Sequence, residues 1–325
     1  MLKNRIISTL KFFDLQDYPL TLLELRQFLL ADVESLKSQL NENFELAGKP
    51  SQLSGAQVET SAILNCLDEE LAGEVGCDKG FYYLTGRQKL VKTRLNNYLY
   101  GIKREKIISR FLPALRHFPF VRGVAIGGSQ AMGLQKPTSD IDLMLFVEHA
   151  YLWIIRPILV IYFQILGIRR HGRFIADRIC LNHYLTSWQE VQSGKDLYNA
   201  MEYLRLRPVV FAQTVNEFRL HNLPWINIFS PNFYQQPGQN EPASRLQIFF
   251  EKCLRNRFFS FLSDVLQKWQ LKRARRGNYV IVNSDELSFH SLERKRLLLG
   301  TYFKNPSGCN SRILAQIPKK FFRLT

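Results

Sequence analysis

The sequence predicts a mixed α+β protein, and three observations lead to this fold class. Residues 123–149, GVAIGGSQAMGLQKPTSDIDLMLFVEH, contain two apolar runs that are typical of strands. Residues 88–118 and 245–270, which lie before and after them, carry apolar side chains at helical spacing. The chain has 325 residues, of which 46% are hydrophobic and 22% are charged, an ordinary globular composition. We therefore expect a small mixed β-sheet, with helices before and after it along the chain.

Residues 1–90 predict a small helical domain that ends in a β-hairpin. Helical patterns cover residues 6–13, 21–30 and 62–71. The second pattern opens with a capping box, in which Thr21 accepts from the first-turn amides and Glu24 reaches back to the backbone. The turn at residues 77–80 and the aromatic run at residues 81–84 are typical of a hairpin. Three helices and a hairpin predict a winged-helix-like domain.

The charge of this domain argues against sequence-specific DNA binding. Residues 1–90 hold 9 Lys and Arg against 13 Asp and Glu, a net charge of −4. The helix that would enter the major groove carries Asp68, Glu69 and Glu70 and no cation, whereas DNA affinity depends on the neutralisation of phosphates. We expect the domain to dock against the rest of the chain or against a protein partner.

Residues 91–190 form the predicted central domain. The chain after residue 90 carries a net charge of +20, which attracts polyanions such as nucleotides and nucleic acids. Its first helix, over residues 88–118, presents several cations, which form either a solvated face or a binding surface. RNA or DNA is therefore a candidate partner of the basic region after residue 90.

Residues 191–325 predict a mainly helical C-terminal region. Residues 195–218 and 245–270 have helical patterns, and residues 229–244, with their Pro, Gly, Asn and Gln, predict a linker or long loop. The run KRARR at residues 272–276 indicates either a contact to phosphates or the cationic C-terminus of a helix.

Cysteine usage and hydropathy indicate a cytoplasmic protein. The five cysteines are odd in number and far apart, which suggests neither a disulfide framework nor a zinc site. The first residues carry charges within their apolar pattern, which argues against a secretory signal. The most apolar segment, residues 151–168, contains Arg156, Pro157 and Gln164 and predicts a buried helix rather than a membrane span. We expect no membrane partner.

Two carboxylates lie close together in the run SDIDL. On a strand, Asp140 and Asp142 leave the same face while Ile141 and Leu143 point into the core. Their repulsion is relieved if they bind a hard divalent cation, Mg²⁺ above all. A pair of such ions would stabilise the attacking and leaving oxygens of a phosphoryl or nucleotidyl transfer. The sequence therefore predicts a metal site at the start of this strand.

A glycine turn precedes the carboxylates by about ten residues. Gly127, Gly128 and Ser129 follow an apolar strand, at a point where a helix can begin. Glycines let the backbone approach a triphosphate closely, and first-turn amides together with the Ser129 hydroxyl can bind its oxygens. The order strand, Gly-Gly-Ser, helix, Asp-x-Asp strand predicts a combined nucleotide and metal site.

This combination resembles the signature of the polymerase-β-like nucleotidyltransferase superfamily, hG[GS] followed by Dh[DE]h. The resemblance covers residues 122–147 and continues loosely to residue 185. It implies a small mixed-sheet nucleotidyltransferase core, nucleotide binding by the glycine turn, and Asp140 and Asp142 as catalytic metal ligands. Catalytic members usually have a third carboxylate on a later neighbouring strand. Here the expected strand, DRICLNHYL, offers Asp177 at its beginning, either as the third catalytic ligand or as a strand cap.

The resemblance implies an enzyme that transfers a nucleoside monophosphate from a nucleoside triphosphate (NTP) to an acceptor hydroxyl by a two-metal mechanism. The acceptor is a small molecule, a protein or an RNA, and the expected cofactor is Mg²⁺, with two ions bound. The alternative is a catalytically degenerate protein of the same fold that acts as a nucleotide- or nucleic-acid-binding regulator. The uncertain third carboxylate keeps this alternative open.

Overall fold

Two β-sheets organise the chain, and the larger one carries the predicted site residues. The computed structural model describes residues 2–47, 57–232, 241–274, 281–282, 286–288 and 292–304. In this part of the chain, the smaller sheet has three strands in the order β1-β3-β2: β1 (Leu20–Thr21), β2 (Val75–Asp78) and β3 (Phe81–Leu84). The larger sheet has six strands in the order β7-β4-β5-β6-β9-β8: β4 (Val121–Ile126), β5 (Ile141–Val147), β6 (Ile179–Leu185), β7 (Arg207–Val210), β8 (Ile281–Val282) and β9 (Glu286–Ser288).

Helices surround both sheets, and the predicted α+β fold class is confirmed. Before the larger sheet the helices are α1 (Leu2–Asp14), α2 (Leu22–Gln27), α3 (Val33–Lys37), α4 (Thr60–Asn65) and α5 (Lys89–Phe111). Within and after it they are α6 (Gly128–Ala131), α7 (Leu152–Ile165), α8 (Leu197–Leu204), α9 (Ala212–Phe229), α10 (Arg245–Leu254), α11 (Arg257–Ala274) and α12 (Leu292–Lys304). Among the described residues, no helix has both the length and the hydropathy needed to cross a bilayer.

The local signals of the N-terminal domain are present in the structure. Thr21 and Glu24 form the predicted capping box at the start of α2, with reciprocal side-chain to backbone hydrogen bonds of 3.3 and 2.8 Å. The predicted hairpin pairs β2 with β3, and Lys79 and Gly80 at its turn have φ values of 51° and 78°, as a type I′ turn requires. The winged-helix assignment itself stays a prediction.

The strand order places the site where β5 and β6 run side by side. β5 pairs with β4 in antiparallel and with β6 in parallel orientation. A parallel pair needs a long crossover, and α7 lies within it. Ile141 and Leu143 are 0% and 1% exposed, so the alternation along β5 turns the side chains of Asp140 and Asp142 away from this core.

One cluster of buried side chains includes residues of both α1 and α12. The ring of Phe12 on α1 contacts Tyr302 on α12 edge to face, with centroids 5.3 Å apart, and both belong to one cluster of buried side chains. A second cluster packs α7 against the six-stranded sheet. The predicted domain limits at residues 90 and 190 stay predictions.

The C-terminal region differs from its prediction in three places. The helical pattern over residues 195–218 is interrupted by β7, and β8 and β9 extend the sheet within the region predicted to be mainly helical. The helix predicted over residues 245–270 is two helices, because Asn256 caps α11 by accepting from the amide of Phe259 at 3.1 Å. Residues 233–240 of the predicted linker and residues 275–276 of the KRARR run lie outside the described residues.

Candidate active site

The glycine turn and the carboxylate pair are packed directly against each other. The amide of Gly127 donates to the carbonyl oxygen of Asp142 at 3.0 Å. Gly128 has a φ of +56°, and a Cβ atom there would lie 2.2 Å from Oδ2 of Asp142. Only glycine combines this backbone conformation with room for the carboxylate. The backbone of the turn and the side chain of Asp142 therefore form one unit.

Asp140 and Asp142 share their surroundings with a cysteine. Asp142 and Cys180 are register partners across the parallel β5 and β6 pair. Each of Asp140, Asp142 and Cys180 offers a ligand atom, and these atoms lie within 4.8 Å of one another. The structure thus brings the two predicted metal ligands together, and it adds a thiol at the neighbouring position of β6.

Arg170, from the connection between α7 and β6, neutralises part of this cluster. Its Nη1 donates to Oδ2 of Asp140 at 2.6 Å and to Sγ of Cys180 at 3.3 Å. Burial, followed by the charges of Asp142 and Asp140, raises the pKa of the Cys180 thiol well above its ordinary value. Burial at this position thus favours the neutral thiol over the thiolate that metal ligation by cysteine requires.

Of the three side chains in this cluster, only the two aspartates offer the oxygen ligands that a hard cation prefers. Carboxylate oxygens are the ligands that Mg²⁺ prefers, and a soft sulfur ligand does not match it. Asp140 and Asp142 therefore fit the implied metal, while Cys180 does not fit the position of a third ligand.

Comparison with known proteins identifies the region that carries this geometry. Residues 108–171 match the family model of the nucleotidyltransferase domain. This segment of the chain is therefore similar to a nucleotidyltransferase domain. The match is consistent with the polymerase-β-like superfamily and covers the glycine turn, Asp140, Asp142 and Arg170. Comparison with curated proteins and with solved structures found no match.

Asp177 lies beside the nucleotidyltransferase site but is held by other partners. Its Oδ2 accepts from Nζ of Lys103 at 2.6 Å, and its Oδ1 lies 3.0 Å from Nε of Arg104. Arg104 is fully buried on α5. Among the described residues, the cluster around Asp140 and Asp142 is completed by Cys180 and does not include Asp177. Its assignment as the third carboxylate stays a prediction.

Two further groups near the glycine turn and the carboxylate pair were not found by sequence reasoning. Arg170 lies in the basic run RRHGR, where nothing in the pattern singles out one arginine. Glu202 on α8 is 7% exposed, and its Oε1 lies 3.6 Å from the position of a Cβ atom on Gly127. Two strands, β5 and β6, and the helix α7 separate Glu202 from the glycine turn in the sequence, so only the fold reveals this contact.

Proposed function

We propose that the protein is a metal-dependent nucleotidyltransferase that transfers a nucleoside monophosphate from an NTP to an acceptor hydroxyl. The observation that carries this proposal is the contact between Asp142 and Gly128, where a Cβ atom would lie 2.2 Å from the carboxylate. A metal bound to that carboxylate and a phosphate bound to that turn would be neighbours. This is the arrangement that nucleotidyl transfer needs.

In the proposed reaction the acceptor oxygen forms a bond to the α-phosphorus of the NTP. The bond from that phosphorus to the oxygen that bridges to the β-phosphate breaks, pyrophosphate leaves with the electron pair, and the hydroxyl proton passes to solvent. The amide of Gly127 donates a hydrogen bond to the carbonyl oxygen of Asp142, so Gly127 holds the turn in place. The amides of Gly128 and Ser129 and the Ser129 hydroxyl then bind phosphate oxygens.

Asp140 and Asp142 would hold the metal, with two Mg²⁺ ions as our proposal. The bound ions supply neutralisation of the triphosphate charge and activation of the acceptor hydroxyl. Arg170 keeps the two carboxylates together before the metal arrives, through its 2.6 Å bond to Asp140. Asp177, the third proposed ligand, would have to exchange its bonds to Lys103 and Arg104 to reach the metal.

The acceptor within this proposal is a small molecule, a protein or an RNA. Lys92 and Lys106 on α5 are exposed, which supports RNA or DNA as a partner of the basic region after residue 90. The cysteines in the described part of the chain form no disulfide, which supports a cytoplasmic location.

A second candidate function is a catalytically degenerate protein that binds nucleotide or nucleic acid without turnover. The neutral thiol of Cys180 beside the two aspartates favours it, because Cys180 lies on the strand where the superfamily places its third carboxylate. A protein of this kind would retain the phosphate-binding turn and would have no catalytic activity.

The two functions are separated by measuring binding and product formation together. The full chain is incubated with each labelled NTP and Mg²⁺, in separate reactions with bulk RNA, cellular protein and a small-molecule extract. Nucleotidyl transfer is supported if the wild type forms labelled product and the amount of product falls at least about 100-fold in Asp142→Asn. Asp68→Asn, an exposed aspartate of the N-terminal domain, is the matched control. NTP binding by equilibrium dialysis without product supports the degenerate function. The absence of both product and NTP binding contradicts transfer and the nucleotide-binding form of the degenerate function.

A further inference from the structure

The helix α10 turns two of its polar side chains, Gln247 and Glu251, towards the protein. Gln247 is 1% exposed and donates from Nε2 to the carbonyl of Val121 at 2.9 Å. Glu251 accepts from the amide of Phe120 at 2.8 Å and pairs with Arg122. The outward side chains of the same helix are Leu246, Phe249 and Phe250, which are 55%, 60% and 46% exposed. This is the reverse of the pattern of an ordinary surface helix.

The helix α11 also buries polar side chains and exposes apolar ones. Its inward positions include Ser263 and Gln270, which are 2% and 6% exposed. The side chain of Gln270 donates to the carbonyl of Trp153 and accepts from Arg156 on α7, both at 2.8 Å. The outward positions Phe258, Phe261, Val265 and Trp269 are spaced by three or four residues and are 66%, 66%, 45% and 60% exposed, so they form one stripe.

The helix α7, which packs against α11 through these bonds, also exposes apolar side chains. Ile158, Ile161 and Ile165 are 37%, 57% and 80% exposed, although the opposite face of α7 is buried against the sheet. We call the exposed apolar side chains of α10 and α11 the outer apolar face. Apolar exposure on this scale marks a binding surface.

Positive charge accompanies the outer apolar face. The α11 sequence contains four Lys or Arg and one Asp. Lys252, Arg257, Lys268 and Lys272 are exposed. A second copy of the chain bound through the same face would bring these cations opposite one another. An anionic lipid surface instead offers an apolar layer for Phe and Trp and negative headgroups for Lys and Arg.

We propose that the outer apolar face binds an anionic membrane surface, with α11 lying in the interface. This proposal departs from the expectation of no membrane partner, because a helix that lies on the membrane was not foreseen from the sequence. This inference is independent of nucleotidyl transfer, because the contacts that carry it lie outside the glycine turn and the carboxylate pair.

Vesicle flotation of the full chain tests the proposal. The chain should float with vesicles that contain phosphatidylglycerol at low salt, and it should not float with phosphatidylcholine vesicles alone. Trp269 is 60% exposed, whereas Trp153 and Trp225 are 7% and 1% exposed and Trp188 is partly buried against the core, so a blue shift of tryptophan fluorescence on binding should be lost in Trp269→Phe. High salt should weaken binding.

Matched substitutions separate this face from other exposed residues. Phe261→Ser should weaken vesicle binding about tenfold, whereas Leu99→Ser should not, although Leu99 on α5 is 67% exposed and Phe261 is 66% exposed. Lys268→Gln and Lys272→Gln should each weaken binding about fivefold, while Lys92→Gln and Lys106→Gln leave it unchanged.

Three outcomes would overturn the proposal. The first is a wild-type chain that does not float with anionic vesicles at low salt. The second is equal binding by Phe261→Ser and Leu99→Ser. The third is a dimer in size-exclusion chromatography that Phe261→Ser converts to a monomer, which would assign the face to a second copy of the chain.

Discussion

Arg170 donates from Nη1 to Oδ2 of Asp140 at 2.6 Å, and this ion pair occupies one oxygen of the proposed metal site. The two side chains are 23% and 15% exposed, so solvent screens their attraction only in part. A metal ion and Arg170 are therefore competing partners of the same carboxylate. The competition makes Arg170 the residue that sets how readily the site accepts a cation.

Replacing Arg170 by alanine should strengthen metal binding. Without the guanidinium, Asp140 and Asp142 repel each other, and a divalent cation then relieves the repulsion. We expect Mn²⁺ affinity, measured by electron paramagnetic resonance in the absence of nucleotide, to rise about tenfold, which is ~1.4 kcal/mol. Arg173→Ala, an exposed position on the same connection, should leave the affinity unchanged. Weaker Mn²⁺ binding in Arg170→Ala would show that Arg170 supports the site instead of competing for it.

Replacing Gly128 by alanine should separate the turn from the carboxylate. The new Cβ atom would lie 2.2 Å from Asp142 Oδ2 at a φ of +56°, so the turn or the side chain must move. We expect a loss of about 1–3 kcal/mol in the free energy of unfolding by urea and a loss of NTP binding in equilibrium dialysis. Gly73→Ala, where nothing lies within 4 Å of the added atom, is the control. A Gly128→Ala protein that binds NTP as the wild type does would contradict the proposed role of the turn.

The sequence predicted elements whose signals are local. The capping box at Thr21 and Glu24 and the turn at Lys79 and Gly80 depend on residues a few positions apart, and both are present in the structure. β7 was missed because four residues between two helices show no period. The helical pattern of α11 showed which residues share a face, but it could not show that the polar face turns inward.

The site could be predicted as far as one strand and the preceding turn. Gly128 and Asp142 lie within a single turn-and-strand motif, so their adjacency follows from local structure. Cys180 lies opposite Asp142 only through the register of a parallel pair, and no pattern in the sequence sets that register. Arg170 reaches Asp140 from a long crossover, so no pattern in the sequence predicted this contact either.

Asp196 should make stability depend on pH. Burial raises its pKa from 3.8 to about 6, although Lys295 pairs with it and the amide of Asn199 donates to it. Because the folded pKa lies above the unfolded one, its contribution is fully present below about pH 4 and is lost as the pH rises through about 6. Relative to Asp196→Asn, the wild type should lose on the order of 2–3 kcal/mol of unfolding free energy between pH 4 and pH 7.

Chemical denaturation at several pH values measures this difference. Asp264→Asn, at an exposed position of α11, is the matched substitution. A difference between wild type and Asp196→Asn that stays constant from pH 4 to pH 7 would contradict the predicted burial effect.

Replacing Cys180 by aspartate should create a third oxygen ligand beside Asp140 and Asp142. The ligand atoms of the three residues lie within 4.8 Å of one another. Without a metal ion, the added carboxylate increases the repulsion among the three side chains. It also provides a further oxygen ligand, which increases the affinity for Mg²⁺. Without Mg²⁺ the melting temperature of Cys180→Asp should fall below that of Cys180→Asn, which has the same shape and no charge. With Mg²⁺ it should rise by about 2 °C or more beyond the rise in Cys180→Asn. Equal Mg²⁺ shifts in the two variants would show that position 180 does not face the metal, and the neutral thiol would then no longer favour the degenerate function.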